Sequence, residues 1–305
     1  MANKWWVYQR ERFPVFAHSP LLLAFSFSAI SYSSLLRGVV RWPDAKSIAV
    51  AFFTSLLFFL QLRIADEFKD FEEDSLYRPY RPVPRGLVKL RELGWLGLLS
   101  ALTQLIFAVI LQPSLVILLV FTWTYLALMS VEFFSRDWLK ARPITYLWTH
   151  MLIVPLVDYY ATACDWLANE QLQPRGLFWF LLVSFGNGIV IEVGRKLRAP
   201  ADEEVGVQTY SVLWGRKTAV LVWLGAMLAT ASFAVLAAIN IAFALPVAVV
   251  LALLWLVAAL MAGRFLQQPE SCHARLFEAM SGVWTLILYL GLGAIPMLVK
   301  MGGQQ

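Results

Sequence analysis

Six of the nine residues 66–74 are carboxylates, and they follow directly on the apolar run "SIAVAFFTSLLFFLQL" at 47–62. At about 100° per residue, Glu67, Asp70 and Asp74 fall within roughly 60° of one another on a helix, and Asp66 flanks them. Glu72 points away and reads as a solvated charge. Carboxylates crowded on one face raise each other's pKa. A charge at membrane depth costs on the order of 2.5–3.5 kcal/mol even on lenient scales. Something positive must compensate. A donor set of oxygens alone, without His or Cys, selects a hard cation, and Mg²⁺ fits best. Such an ion keeps open positions that substrate phosphate oxygens fill. A solvated acidic cap at the membrane surface is the competing reading; the density and one-sidedness of the acids weigh against it.

Arg78, Arg81 and Arg85 come next, interleaved with Pro79, Pro82 and Pro84. Proline fixes its own φ and restricts the residue before it, so a stiff loop that aims guanidinium groups is expected. Arginine is the natural bidentate partner of phosphate. Positive charges that only set topology are the alternative for any single one of them. A second charged stretch, "IEVGRKLRAPADEEVGVQTYSVLWGRK" at 191–217, contains Glu192, Arg195, Lys196 and Asp202. The two cysteines, Cys164 and Cys272, and the three histidines, His18, His150 and His273, are scattered in no metal-binding spacing, so no zinc site is expected.

The elements that must hold these residues are hydrophobic. Of 305 residues, 60% are hydrophobic and 15% charged, with a mean hydropathy of +0.66. This is the composition of an all-α polytopic membrane protein. About nine apolar segments stand out, at 19–36, 47–64, 94–111, 114–131, 144–163, 177–193, 218–238, 242–262 and 279–299. Most are long enough for a hydrocarbon core of about 30 Å, and lipid requires that they be helices. Tight turns at Gln112-Pro113 and near Asn240 predict two hairpins. No linker or low-complexity tract divides the chain, so residues 1–305 read as one domain. Charges and aromatics fill the N-terminus where a secretory signal would be apolar. Trp5, Trp6 and Tyr8 beside Lys4, Arg10 and Arg12 predict a segment lying on the membrane surface.

With the N-terminus inside, 19 of the 25 basic residues fall on the cytoplasmic side and five on the other, with Arg63 inside a span. The positive-inside rule therefore predicts N-in and C-out, with both charged loops, 65–92 and 191–217, facing the cytoplasm. The pI of about 9.2 then reflects topology and an anionic ligand, with no sign of nucleic-acid binding.

Asp66-Glu67-x-x-Asp70-x-x-x-Asp74 followed by "RPVPRG" resembles the first signature of the UbiA-type intramembrane prenyltransferases. That signature is N-D-x-x-D-x-x-x-D followed by R-P-L-P-x-G. Asp70, Asp74, Arg81, Pro82, Pro84 and Gly86 match outright, while Asp66 replaces the usual Asn and Glu67 the first Asp. In the second signature Gly206, Thr209 and Gly215 keep the family frame and Asp202 falls on the second Asp, but Arg198 occupies the place of the first. Glu192 is the nearest upstream acid and is expected to take over its role, with Glu203 and Glu204 as spare candidates and an ion pair to Arg195 or Lys196 as the competing role for Glu192.

The resemblance implies a bundle of about nine helices around a central cavity, in a bacterial inner membrane with the site facing the cytoplasm. It implies Mg²⁺ held by Asp66, Glu67, Asp70, Asp74, Glu192 and Asp202. It implies diphosphate bound by Arg78, Arg81, Arg195, Lys196, Lys140 and Arg142, and it assigns catalysis to Lys140, Arg142 and Asp202. The substrates it implies are a prenyl diphosphate and an acceptor, commonly aromatic, with membrane lipid around the prenyl tail. Phe52, Phe53, Phe58 and Phe59 are candidates for a tail channel, packing or lipid contact being the competing role.

Two other functions share parts of this pattern. An intramembrane terpene cyclase would use the same diphosphate-ionising site and give a cyclic hydrocarbon without an acceptor. A cation or lipid transporter would place its carboxylates near the bilayer midplane, whereas these sit at helix ends.

Overall fold

The computed structural model describes residues 3–303, and among these there are helices, short turns and no strands. In chain order the helices are α1 (Lys4–Arg12), α2 (Val15–Leu36), α3 (Ala45–Lys69), α4 (Phe71–Tyr77), α5 (Leu90–Leu111), α6 (Leu115–Ser130), α7 (Arg136–Lys140) and α8 (Pro143–Met151). There follow α9 (Ile153–Trp166), α10 (Leu177–Arg195), α11 (Tyr210–Leu213), α12 (Arg216–Ile239), α13 (Ala244–Gln267), α14 (Ser271–Leu292) and α15 (Ala294–Gly302). Seven spans among the described residues are long and apolar enough to cross a membrane, with α14–α15 taken as one of them. The remaining apolar segments are the shorter α6 and the broken pair α8–α9.

The two breaks have one cause. A proline cannot donate to the carbonyl four residues earlier, and its ring crowds that carbonyl. Pro155 lies four residues after Met151, where α8 ends, and Pro296 lies four after Leu292, where α14 ends. The expected hairpins are present, α5–α6 turning at residues 112–114 and α12–α13 at 240–243.

Among the seven long spans, the apolar stretches of α2 and α10 are the most buried and that of α13 the least. Small residues let the inner helices approach closely, as membrane packing favours. A Cβ on Gly194 of α10 would lie 2.2 Å from Ser281 Oγ on α14 and 3.0 Å from Trp223 Nε1 on α12. That crossing is a polar knot in which Trp223 donates to Ser281 at 2.9 Å.

One end of the bundle gathers the acidic loops. The other is tied by Arg37, whose guanidinium bridges both oxygens of buried Asp165 at 2.6 and 3.1 Å, joining α2 to α9. Phe58 and Phe59, candidates for a tail channel, pack inside, Phe58 against Tyr160 and Phe59 against Phe25. Phe53 faces outward beside Phe52 and Phe107.

Candidate functional site

The acidic run sits at the C-terminal end of α3 and continues into α4. Helical hydrogen bonding passes through the joint, since Asp70 N donates to Asp66 O at 2.9 Å and Asp74 N to Asp70 O at 2.8 Å. Asp66, Asp70 and Asp74 are therefore successive turns of one face. Glu67 and Asp74 are buried, and Glu72 is exposed as expected.

Apart from exposed Glu72, each acid of the run but one has a cation among the described residues. Glu67 accepts from Arg12 Nε at 2.5 Å. Asp66 lies 3.5 Å from Arg63 and 3.6 Å from Lys69. Asp74 holds Arg78 at 3.0 Å and Arg81 at 2.5 Å, so these two loop arginines are drawn back onto the acidic face. Glu73 bonds Lys140, which holds its carboxyl below the ordinary range, and Arg136 adds to this at 3.6 Å. Asp70 forms no ion pair among the described residues. Burial pushes its carboxyl up, and although Lys69 opposes this, neighbouring Asp66, Asp74 and Glu73 add to it.

The second loop closes over this face. Glu192, buried in the last turn of α10, lies between Arg195 (2.5 Å) and Lys196 (2.8 Å). Asp202 stands in a short turn after Pro200 and accepts from Ser271 Oγ at 2.8 Å. Glu192 and Asp202 thus have separate partners in this structure. Glu203 accepts from the Thr209 hydroxyl at 2.8 Å, and Arg198 pairs with Glu204 at 3.2 Å. Tyr80 OH reaches Glu204 at 3.3 Å, and the Tyr77 ring lies against Gly206, where a Cβ would stand 2.5 Å from it. Gly206 also has φ +77°, so only glycine meets both demands. The two signatures therefore touch. Arg195 is within electrostatic reach of Asp66.

Sequence reasoning missed a polar chain beside the acids. Lys69 Nζ donates to Tyr146 OH at 2.9 Å, and that hydroxyl donates to Glu132 at 3.3 Å. The Tyr146 ring stacks on His150 at 3.8 Å between centroids. Glu132 is buried by an unusual corner after α6 in which Glu132, Phe133 and Phe134 all have φ between 50° and 57°. Buried Tyr210 roofs Lys196, whose Nζ lies 5.5 Å from its ring centre, and burial pushes the phenol up. Only one hint of this chain was in the sequence, the position of Lys69 inside the acidic run.

Lys140 joins the group through Glu73. Arg142 does not: its guanidinium stacks over Trp138 at 4.4 Å and donates to the Trp138 carbonyl. Three potential metal ligands, Glu270, Cys272 and His273, converge within 4.8 Å at the surface where α14 begins, although their sequence positions suggest no zinc site. They lie outside the acidic face and include exposed groups.

The arrangement offers oxygen donors, with Asp70 uncompensated among carboxylates, ringed by arginines and lysines. A divalent cation fits that donor set, and the surrounding cations fit a polyanion.

The sequence model of the UbiA prenyltransferase family matches residues 22–282. The fold is similar to the apo structure of a UbiA homolog from Aeropyrum pernix K1, with TM-score 0.66 and 13% identity, over 92% of this chain and 98% of that one. It is also similar to digeranylgeranylglyceryl phosphate synthase, solved in a study of its biosynthesis in membranes, with TM-score 0.60 and 16% identity, over 95% of this chain and 97% of that one. No curated protein sequence matches the chain.

Proposed function

The chain belongs to the UbiA prenyltransferase family, and from that premise we propose that it transfers a prenyl group from a prenyl diphosphate to an aromatic acceptor, with Mg²⁺ at the acidic face. It is an integral, multi-pass membrane protein. In this reading residues 1–305 form one domain, with the acidic end toward the cytoplasm and the C-terminus outside.

The observation that carries the reading is Asp70. It is half-buried among carboxylates with no ion pair, while cations surround the same face. A cation shared with an anionic ligand would stabilise such a site.

Asp66, Glu67, Asp70 and Asp74 would hold metal from the first loop, and Glu192 and Asp202 from the second. Bound there, Mg²⁺ supplies electrostatic neutralisation of a diphosphate. Arg78, Arg81, Arg195, Lys196 and Lys140 stabilise the leaving diphosphate as its charge grows; Arg142 would join only by leaving Trp138. The allylic C–O bond breaks, both electrons stay with the diphosphate, and the allylic cation is captured by the acceptor ring. The ring carbon then loses its proton to restore aromaticity. The apolar helices below the loops hold the prenyl tail and exclude water from the cation.

The test uses purified protein with geranyl diphosphate and Mg²⁺, following diphosphate release. Asp70→Ala and Asp74→Ala are each expected to abolish release while the protein stays inserted and folded. Release at the wild-type rate in EDTA would reject the reading.

A further inference from the structure

The N-terminal helix α1 precedes the residues that the family model matches. It is nevertheless built into the acidic loop. Lys4 pairs with Glu92, Glu11 with Arg85 at 3.0 Å, and Arg12 with Glu67 at 2.5 Å. Tyr8 is buried in a small apolar cluster with Ile64, Val83, Val88 and Leu93. Trp5 meets it edge to face at 6.3 Å.

Arg12 meets Glu67 through Nε alone, and both side chains are largely buried, at 11% and 1% exposure. Among the described residues its two terminal nitrogens have no hydrogen-bond partner. A guanidinium has five donors in a fixed fork, so one edge can hold a carboxylate while the other faces a different oxyanion. Arg81 stands nearby. Burial and then the charge of Arg12 pull its pKa down, while Asp74 opposes them. Arg78 and Arg81 both pair with Asp74. Neutralising Glu67 takes only the Nε edge of Arg12 and leaves the other edge without a protein partner among the described residues.

We propose that α1 is a strap that carries Arg12 into the site as a further diphosphate-binding residue, its Nε held by Glu67 and its terminal nitrogens presented to a phosphate group. The inference rests on the reading of this face as a prenyl diphosphate site. It adds a recognition residue from a helix that the family match does not include.

The probe is inorganic pyrophosphate with Mg²⁺, titrated calorimetrically into the full-length protein in detergent. Arg12→Gln is expected to weaken binding about tenfold or more, the usual effect of losing charge-assisted hydrogen bonds. Glu11→Gln removes another pin of α1 away from the acids, and should stay within about twofold of wild type, as exposed ion pairs contribute little. Arg12→Lys is expected to bind several-fold more weakly than wild type, because an ammonium cannot fork between carboxylate and phosphate. The inference is overturned if Arg12→Gln binds like wild type, or if Glu11→Gln weakens binding as much as Arg12→Gln does. Should Arg12→Gln fail to fold, Arg12→Lys decides, and wild-type affinity there overturns it. Wild-type protein that binds no pyrophosphate would instead reject the diphosphate site itself, and the inference with it.

Discussion

The fold opposes the charge on Asp70. Burial and its neighbouring carboxylates raise it above the ordinary value of 3.8, so the folded state holds the proton more tightly than the unfolded chain does. Ionising Asp70 therefore destabilises the fold. The cost is fully present above the folded pKa and absent below the unfolded one. Asp70→Asn should raise Tm at pH 7 in metal-free buffer and abolish turnover. The gain should fade as the pH falls toward 3.8. Added Mg²⁺ should raise Tm of the wild type and not of the variant; a wild type that Mg²⁺ leaves unchanged would contradict a metal role. Glu192 raises the complementary question, because Arg195 and Lys196 already neutralise it. Glu192→Gln keeps the shape and removes the charge. It is expected to raise the Mg²⁺ concentration for half-maximal activity. A lower Tm with an unchanged Mg²⁺ requirement would limit Glu192 to ion pairing. The acids were legible because they are neighbours in sequence. Arg12–Glu67 and Lys69–Tyr146 were not, because their partners lie 55 and 77 residues apart and no local pattern links them.

Hydropathy located the apolar segments because burial in lipid is a property of whole helices, and all of them are helical here. It did not locate the breaks after Met151 and Leu292. Those lie one turn before Pro155 and Pro296, in stretches whose mean hydropathy stays apolar, so only the prolines mark them. The left-handed corner at 132–134 was also hidden, since no glycine announces it. Left-handed backbone costs a residue with a Cβ roughly 1–2 kcal/mol. The corner is retained where it buries Glu132 against Tyr146, next to Lys69. Phe134 is its exposed member, at φ 57° and 83% exposure, so its side chain contributes little packing to offset that strain. Phe134→Gly should therefore stabilise the protein by about 0.5–1 kcal/mol, the relief less the entropy glycine adds to the unfolded chain. The measurement is thermal unfolding in detergent; a lower Tm would mean that the ring contributes more than its exposure suggests.

The two ends of the bundle differ in charge as well as in chemistry. Ion pairs and acidic loops gather where α3 and α10 end, while Arg37 clamping Asp165 is the ion pair at the opposite end among the described residues. With nine spans the basic residues are expected to divide the same way, 19 to five, a bias readable from sequence because it depends on which loops carry charge and not on how they pack. The chain provides its own probe of direction. Of its two thiols, Cys164 is buried in the bundle and Cys272 is exposed at the acidic end, one residue after Ser271, which bonds Asp202. Leu172, 90% exposed, follows α9 at the other end. A membrane-impermeant maleimide applied to intact cells should leave the wild type unlabelled and should label Leu172→Cys. Permeabilising the membrane should then expose Cys272. The reverse result, Cys272 labelled on intact cells and Leu172→Cys protected, would turn the molecule over and place the acidic face outside. The positive-inside assignment would fall, while the chemistry of the acidic face would stand.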